Sequence, residues 1–279
     1  MPNVPGWGSW SVVPLLWLLL LLAGGWYASV IRRMERDGRR VSVGGCAAFY
    51  SGLLIILIAL GSPLNTIADN WLLLGAMMQH TLVADIAPPL FVLGIAPIVS
   101  SVVLPEGIRR HFAAGTFPAR AWAVLTRPLV AVPLWMVTLL SFSIPPVFDY
   151  TVQHPVIHAF DHLLLFSTGF VMWWAIINPL HNAGTELGMG RVMMLAASRG
   201  ASGLVCLPLT FLNTTLFSYY SNLPRGFSIS PINDQRLAGA SMCLIEFLVF
   251  GIAVAIVFID ALNRTERADA LADLAAANH

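Results

Sequence analysis

Seven long apolar segments recur along this chain, and they limit its possible folds more than any other feature. Each can form a helix of about 20 residues, which is the length that crosses the hydrocarbon core of a bilayer. Only 10% of the residues are charged, whereas about 25% is usual in a soluble domain. The sequence therefore predicts an all-α fold, a polytopic transmembrane helical bundle. The seven predicted spans are 10–31, 43–61, 71–99, 128–147, 155–178, 191–215 and 236–261.

Short connections between these spans favour one seven-helix transmembrane domain at 1–263, followed by a cytoplasmic C-terminal tail at 264–279. The arginines predict the orientation, because Arg-rich loops stay on the cytoplasmic side. The N-terminus is therefore expected outside and the C-terminus in the cytoplasm. Arginines on the predicted cytoplasmic side are Arg32, Arg33, Arg36, Arg39, Arg40, Arg109, Arg110, Arg120, Arg127, Arg191, Arg264 and Arg267; those on the outer side are Arg225 and Arg236.

The three cysteines, Cys46, Cys206 and Cys243, all lie in apolar spans, and none belongs to a CxxC pair. Isolated cysteines in such runs are expected to be small buried hydrophobic residues. No disulfide framework is therefore predicted. The net charge of +1 gives no indication of a nucleic-acid partner, so membrane lipid and protein are the expected surroundings.

Candidate metal ligands from three predicted spans fall at one depth. At 1.5 Å per helical residue, His80 lies about 14 Å along the third span from its outer end. His158 and His162 lie in the first two turns of the fifth span, which begins at Pro155. Met242 lies about two turns into the last span. All of these side chains are therefore expected in the outer half of the membrane.

Helical spacing groups these side chains on shared faces. His158 and His162 are four residues apart, so they lie on one face of a helix. Met77 and His80 are three residues apart and also share a face. Imidazole and thioether groups suit Cu(I), while the alternative is that these are ordinary packed residues. We predict a copper site, holding Cu(I), with the metal ligands His80, His158, His162, Met77 and Met242.

Two further polar residues are expected near this site. Asp161 follows His158 by three residues and is a candidate to orient an imidazole. His154 lies at the outer mouth, where it either caps a helix or passes a metal inward. The sequence alone leaves these two roles of His154 open.

Deeper polar residues lie beneath the predicted site. Asp85 precedes Pro88-Pro89, which are expected to break the third span and free backbone carbonyls beside a cavity. Arg199 and Glu246 form either a structural pair or part of an ion path. The chain has no HExxH, GxSxG or P-loop motif, so an enzyme is the least favoured class.

Three stretches resemble one family of bacterial membrane proteins, the CtaG-type cytochrome c oxidase assembly factors. The run from Met77 to Gly94, with MMQH and DIAPPLFVLG, resembles the family's third span. The stretch from His154 to His162 resembles its fifth span. The DQRLAG stretch from Asp234 to Gly239 resembles the DQ-x-x-x-G motif before its last span. The resemblance covers roughly residues 45–260.

This resemblance implies a role in assembling haem–copper oxidase, with copper supplied on the outer side of the bacterial cytoplasmic membrane. It implies that His80, His158 and His162 are the metal residues. Asp234 and Gln235 are family-typical, and Asp234 is expected to cap the last helix. The expected partners are cytochrome c oxidase subunits and a periplasmic copper donor. The alternatives are a transporter or channel for a metal or small solute through the same cavity, and a bis-His membrane haem protein.

Overall fold

The computed structural model of the chain describes residues 13–39, 42–100, 116–177, 189–223 and 227–277, together with Gly6 and Trp10. The secondary structure of these residues is entirely helical. The helices are α1 (Pro14–Arg36), α2 (Val43–Gly61), α3 (Pro63–Asn70), α4 (Leu73–Thr81), a π-helical segment (Leu82–Ile86), α5 (Ala87–Ser100), α6 (Phe117–Leu125), α7 (Pro128–Ser143), α8 (Pro145–Gln153), α9 (Pro155–Ile177), α10 (Met189–Phe211), α11 (Ser218–Asn222) and α12 (Pro231–Ala277).

Six helical stretches are long and apolar enough to cross a membrane. A seventh span is added if α6 and α7, which meet at a bend of 71°, count as one. This confirms the prediction of an all-α, multi-pass membrane protein. At 1.5 Å per residue, α7 alone is about 24 Å long, which is shorter than a hydrocarbon core of about 30 Å. The six stretches are Pro14–Arg36, Val43–Gly61, Leu73–Ile98, Pro155–Ile177, Met189–Phe211 and Pro231–Asn263.

The arginine-based orientation stays a prediction. Arg40, Arg109, Arg110 and Arg225 lie outside the described residues. In the predicted tail, α12 continues as a helix to Ala277.

The expected break of the third span at Pro88-Pro89 is wrong, because the helix continues through both prolines as α5. The disturbance lies one turn earlier, in the π-helical segment Leu82–Ile86, where Ala87 N–H donates to the carbonyl of Leu82. A proline has no N–H to donate to the carbonyl four residues before it. The wider π turn adjusts the backbone just ahead of the prolines, and the span remains continuous.

Four of the spans and the helix α7 form a closed ring. The third span (α4, the π segment and α5) packs against α9, and α9 packs against α7. The helix α7 contacts α10, α10 contacts α12, and α12 returns to α4. Outside the ring, α2 packs on α5 and α1 packs on α2. Trp135 of α7 and Met172 of α9 are fully buried in the core enclosed by the ring.

A disulfide joins α10 to α12 between Cys206 and Cys243, so the prediction of unpaired cysteines is wrong for these two. Cys46 is free, as expected. The pairing depends on how closely the two helices approach. At Gly239, an added Cβ would lie 2.6 Å from Thr210 Oγ1 and 2.7 Å from the carbonyl oxygen of Cys206. The glycine of the DQ-x-x-x-G motif therefore permits the close packing of α10 and α12.

Candidate metal centre

Three histidines from two helices meet where the last turn of α4 lies beside the first two turns of α9. Each of His80, His158 and His162 offers one ligand nitrogen, and these three atoms lie within 4.8 Å of one another. The imidazole centroid of His162 is 4.4 Å from that of His158 and 5.0 Å from that of His80. The three residues are only 6–8% exposed. The structure thus brings together the three histidines that the sequence singled out.

The donor atoms of this cluster fit a metal ion. The Nε2 atoms of all three histidines are buried, and none makes a hydrogen bond with the residues that the structure describes. A buried polar nitrogen without a partner carries a free-energy cost of about 1–3 kcal/mol. A metal ion bound between the imidazoles would use their lone pairs and remove that cost.

Asp161 supplies a negative charge beside the cluster. Its Oδ2 lies 3.2 Å from His80 Nε2, and its side chain is fully buried. The contact is close but is not an aligned hydrogen bond, because both atoms lack a hydrogen-bond partner among the described residues. The sequence suggested Asp161 from its spacing to His158, whereas the structure places it against His80.

Asp69 is a carboxylate that the sequence analysis missed. It lies on the short helix α3, and its Oδ1 is 3.5 Å from His158 Nδ1. Burial raises the pKa of Asp69 to about 6, while the hydrogen bond from Asn65 opposes that shift. In the sequence, Asp69 is marked only by being the single charged residue of the connection 62–70.

A cavity of about 790 Å³ leads to the cluster. His158 and His162 line it, together with Asp69, Asn65 and Tyr219. The Tyr219 hydroxyl donates to the carbonyl of Asp69 and holds α11 against α3. A cation entering this cavity would meet a carboxylate before it reached the two imidazoles.

The two predicted methionine ligands are core residues. Met77 on α4 and Met242 on α12 are both buried within the main hydrophobic cluster, which also contains Phe148. Phe148 packs its ring edge-on against His80, with centroids 5.5 Å apart. Ligation by either thioether stays a prediction.

His154 lies outside the histidine cluster. Its side chain is exposed, its Nδ1 is 2.7 Å from the carbonyl oxygen of Tyr150, and its ring lies against the Tyr150 ring. It occupies the position directly after α8, where a side chain can satisfy a free carbonyl at the helix end. The cap considered for His154 from the sequence lies at the start of the fifth span, whereas this contact is with the end of the preceding helix, α8.

Asp234 caps a neighbouring helix, so the prediction that it caps its own helix is wrong. The last helix, α12, already begins at Pro231. The two carboxylate oxygens of Asp234 accept from the N–H groups of Leu73 and Leu74, at 2.9 and 3.0 Å. These are the first N–H groups of α4, and a carboxylate there also interacts favourably with the helix dipole. Asp234 therefore fixes the start of the helix that carries His80.

Gln235, the second residue of the DQ motif, fixes a loop. Its Oε1 accepts from Leu216 N–H at 2.7 Å, and its Nε2 donates to the Thr214 carbonyl at 3.1 Å. The side chain is 1% exposed. Both residues of the motif thus hold backbone groups at the end of the bundle that contains the histidines.

The deeper charged residues form a separate cluster. Arg199 on α10 and Glu246 on α12 pair at 3.4 Å between Nη1 and Oε2. Asp85, in the π segment, interacts electrostatically with both of them. Asp85 therefore belongs with the Arg199–Glu246 pair and not with the histidine cluster.

These observations define the class: an all-helical, multi-pass membrane protein with a buried three-histidine cluster near the end of a helix ring. The chain belongs to the cytochrome c oxidase caa3 assembly factor family, whose family model matches residues 25–264. That match confirms the resemblance seen in the sequence motifs.

Two curated relatives are similar to this chain over most of its length. One is an uncharacterized protein of Mycobacterium bovis and the other an uncharacterized protein of Mycobacterium tuberculosis, each 24% identical over 239 residues. The similarity covers 83% of this chain but 36% of each relative. The chain therefore spans about a third of the length of the curated relatives it matches. No solved structure matches it.

Proposed function

We propose that this protein is a membrane assembly factor for haem–copper cytochrome c oxidase and that it binds Cu(I) at the histidine cluster. One observation supports the site most directly: the ligand nitrogens of His80, His158 and His162 lie within 4.8 Å of one another in a buried environment. Membership of the oxidase assembly family supports the wider role. Neutral imidazoles suit Cu(I). None of their buried Nε2 atoms makes a hydrogen bond with the described residues, and that of His80 has only the close contact with Asp161.

Charge favours a monovalent ion at this site. Asp161 is fully buried beside His80, and a carboxylate in such a position needs a compensating positive charge. One Cu(I) would neutralise the charge of the fully buried Asp161. Zn²⁺, which also accepts imidazole and carboxylate ligands, would need a second carboxylate, and the nearest one, Asp69, is partly exposed to solvent. In this proposal the imidazoles bind copper, Asp161 balances its charge and Asp69 orients His158. Met77 and Met242 are proposed as additional thioether ligands.

Copper exchange is proposed to occur through the cavity lined by Asp69, His158 and His162. In the orientation predicted from the arginines, this mouth faces outward from the bacterial cytoplasmic membrane. A periplasmic copper donor would load the site there, and cytochrome c oxidase subunits would receive the metal. The copper is thus cargo that the protein holds for transfer.

The site is tested by metal analysis of the full chain purified under reducing conditions. We expect about one copper per chain in the wild type. The His80→Ala variant and the His158→Ala/His162→Ala double variant should lose it. His154→Ala is the matched control, because this exposed histidine lies outside the cluster and should leave the copper content unchanged. Full copper occupancy in the cluster variants would refute the site.

The role in assembly needs a separate measurement. In cells carrying His80→Ala, we expect cytochrome c oxidase to accumulate with reduced copper content, while His154→Ala cells retain it. Oxidase that contains normal copper in cells lacking the whole protein would refute the role. That result would not change the copper content measured for the purified protein, so the two experiments can fail independently.

A transporter is the second candidate, because Asp85, Arg199 and Glu246 add charged groups to the buried interior of the same bundle. Copper flux into proteoliposomes that depends on the protein would favour it. The bis-His haem alternative would take one ligand from the third span and one from α9, and the His80 ring lies 6.1 Å from that of His158 and 5.0 Å from that of His162. A haem would also reveal itself by its Soret absorption.

A further inference from the structure

A second group of ionisable side chains lies inside the bundle, apart from the histidines. Arg199 and Glu246 form the ion pair between α10 and α12, and Asp85 of the π segment interacts electrostatically with both. Glu246 is 0% exposed and Asp85 is 1% exposed. We call Asp85, Arg199 and Glu246 the buried ion cluster. It joins three elements of the helix ring.

Two carboxylate oxygens of this cluster make no well-aligned hydrogen bond. Asp85 Oδ1 and Glu246 Oε1 are buried without such a bond among the described residues, although the Ser202 hydroxyl lies close enough to Glu246 to favour its ionised form. An unpaired carboxylate oxygen in an apolar interior is costly. A proton on one of the two carboxyl groups would remove its charge and supply an O–H donor. The unsatisfied atoms therefore favour a bound proton.

The charges of the cluster lead to the same result. Two ionised carboxylates and one guanidinium group leave a net charge of −1 in a buried site. Carboxylates that share such a site do not both ionise readily, so one tends to hold a proton. Ionisable residues within membrane spans commonly mark proton sites. The π turn that carries Asp85 is also a kind of irregularity that is frequent at functional sites.

The surrounding helices offer no second cation for the cluster. Neither α5 nor α7 has an ionisable side chain, and α2 has only Cys46 and Tyr50. The only other cationic side chain of α10, Arg191, is 3.8 Å from Asp260 of α12. The remaining ionisable groups of the neighbouring spans are those of the histidine cluster (His80, His158, Asp161 and His162), the cap Asp234, the exposed Arg236, and Cys206 and Cys243, which form a disulfide.

We propose that Asp85 and Glu246 together bind one exchangeable proton, with Arg199 stabilising the negative charge that remains. The proton is held on one of the two carboxyl groups, so the whole cluster is neutral. This proton site is independent of copper binding. The protein therefore has a group inside its transmembrane bundle that can bind and release a proton, in addition to the histidine cluster.

Infrared spectroscopy of the full-length protein in lipid nanodiscs tests the proposal. At neutral pH the wild type should show the C=O stretch of a protonated carboxyl group, with a shift in D₂O because the proton exchanges. Asp161→Asn should show the same band, which separates it from the other buried carboxylate without a hydrogen-bond partner. Both Asp85→Asn and Glu246→Gln should abolish this band, since the single remaining carboxylate is then neutralised by Arg199. The matched control is Asp260→Asn, which changes a more exposed carboxylate paired with Arg191 and should preserve the band.

Three results would overturn the proposal. One is a wild type without the band, which means that both carboxyl groups are ionised. Another is a band that survives in both cluster variants. The third is a band lost on adding sodium ions, which would identify a site for an alkali cation instead. If the variants fail to fold, ¹³C labelling of the aspartate or glutamate carboxyls in the wild type gives the answer. A band shifted by neither label would refute the assignment.

Discussion

The carboxylate of Asp69 and the imidazole of His158 come from different helices, and their Oδ1 and Nδ1 atoms lie 3.5 Å apart. A carboxylate on one ring nitrogen favours the tautomer with hydrogen there, which leaves Nε2 free to bind a metal. His158 Nε2 is buried and has no other partner among the described residues. Asp69 thus supports the site without belonging to the three-histidine set.

The first prediction concerns this support. Asp69→Asn should lower copper affinity by roughly 10- to 100-fold, the usual effect of losing a carboxylate behind a ligating histidine. Copper should still bind at saturation, because the three imidazoles remain. Competition with a Cu(I) chelator measures the change. Asn70→Ala is the control, since Asn70 lines the same cavity and its amide donates to the Thr66 carbonyl of its own helix. Equal affinities in Asp69→Asn and the wild type would contradict the prediction.

A second prediction concerns the charge of Asp161. Asp161→Asn keeps the size of the side chain but removes the negative charge 3.2 Å from His80 Nε2. Because this carboxylate is fully buried, we expect a larger loss of Cu(I) affinity than for Asp69→Asn. The same chelator competition compares the two variants directly. A smaller loss for Asp161→Asn than for Asp69→Asn would show that charge balance is not its main contribution.

The sequence predicted features that follow from helix length, spacing and depth, including the meeting of His80 with the α9 histidines, and it missed specific contacts between distant residues. Apolar length identified the spans, and helical spacing identified the shared face of His158 and His162. The cap made by Asp234 joins residues 161 positions apart, so no local pattern could indicate it. The Cys206–Cys243 disulfide was missed for the same reason. A break was expected at Pro88-Pro89 because proline interrupts most helices, whereas the structure keeps this span continuous through a π turn just before the prolines.

The Asp234 cap leads to a third prediction. Asp234→Ala should destabilise the protein by about 2 kcal/mol, because two N–H groups at the start of α4 lose their acceptor. It should also weaken copper binding, since that helix carries His80. Thermal unfolding in detergent and chelator competition measure the two effects. Asn233→Ala changes an exposed neighbour and should alter neither. Unchanged stability in Asp234→Ala would mean that the two hydrogen bonds contribute nothing net.

A fourth prediction concerns the disulfide between α10 and α12. The wild type, denatured without reductant, should expose one reactive thiol, that of Cys46. After reduction all three cysteines should react. Alkylation followed by mass spectrometry counts them, and Cys46→Ala should give none before reduction. Three reactive thiols in the unreduced wild type would show that Cys206 and Cys243 are not bonded to each other.

The last prediction concerns the close approach of α9 to the π segment. At Gly169 an added Cβ would lie 2.6 Å from the carbonyl oxygen of Ala84, a backbone atom that cannot rotate away. That carbonyl lies four residues before Pro88, which has no N–H to donate to it. Gly169→Ala should therefore push α9 from the third span, lowering the unfolding temperature and the copper affinity together, because His158 and His162 lie on α9.

Gly251→Ala is the matched control for this change. It replaces a helical glycine on α12 that has nothing within 4 Å of the added Cβ. Alanine is favoured over glycine within a helix by up to about 1 kcal/mol, so this variant should be as stable as the wild type or slightly more stable. Thermal unfolding of both variants separates the clash from helix propensity. If Gly169→Ala were as stable as Gly251→Ala, the spacing between α9 and the π segment would not depend on glycine, and the position of the two histidines would need another cause.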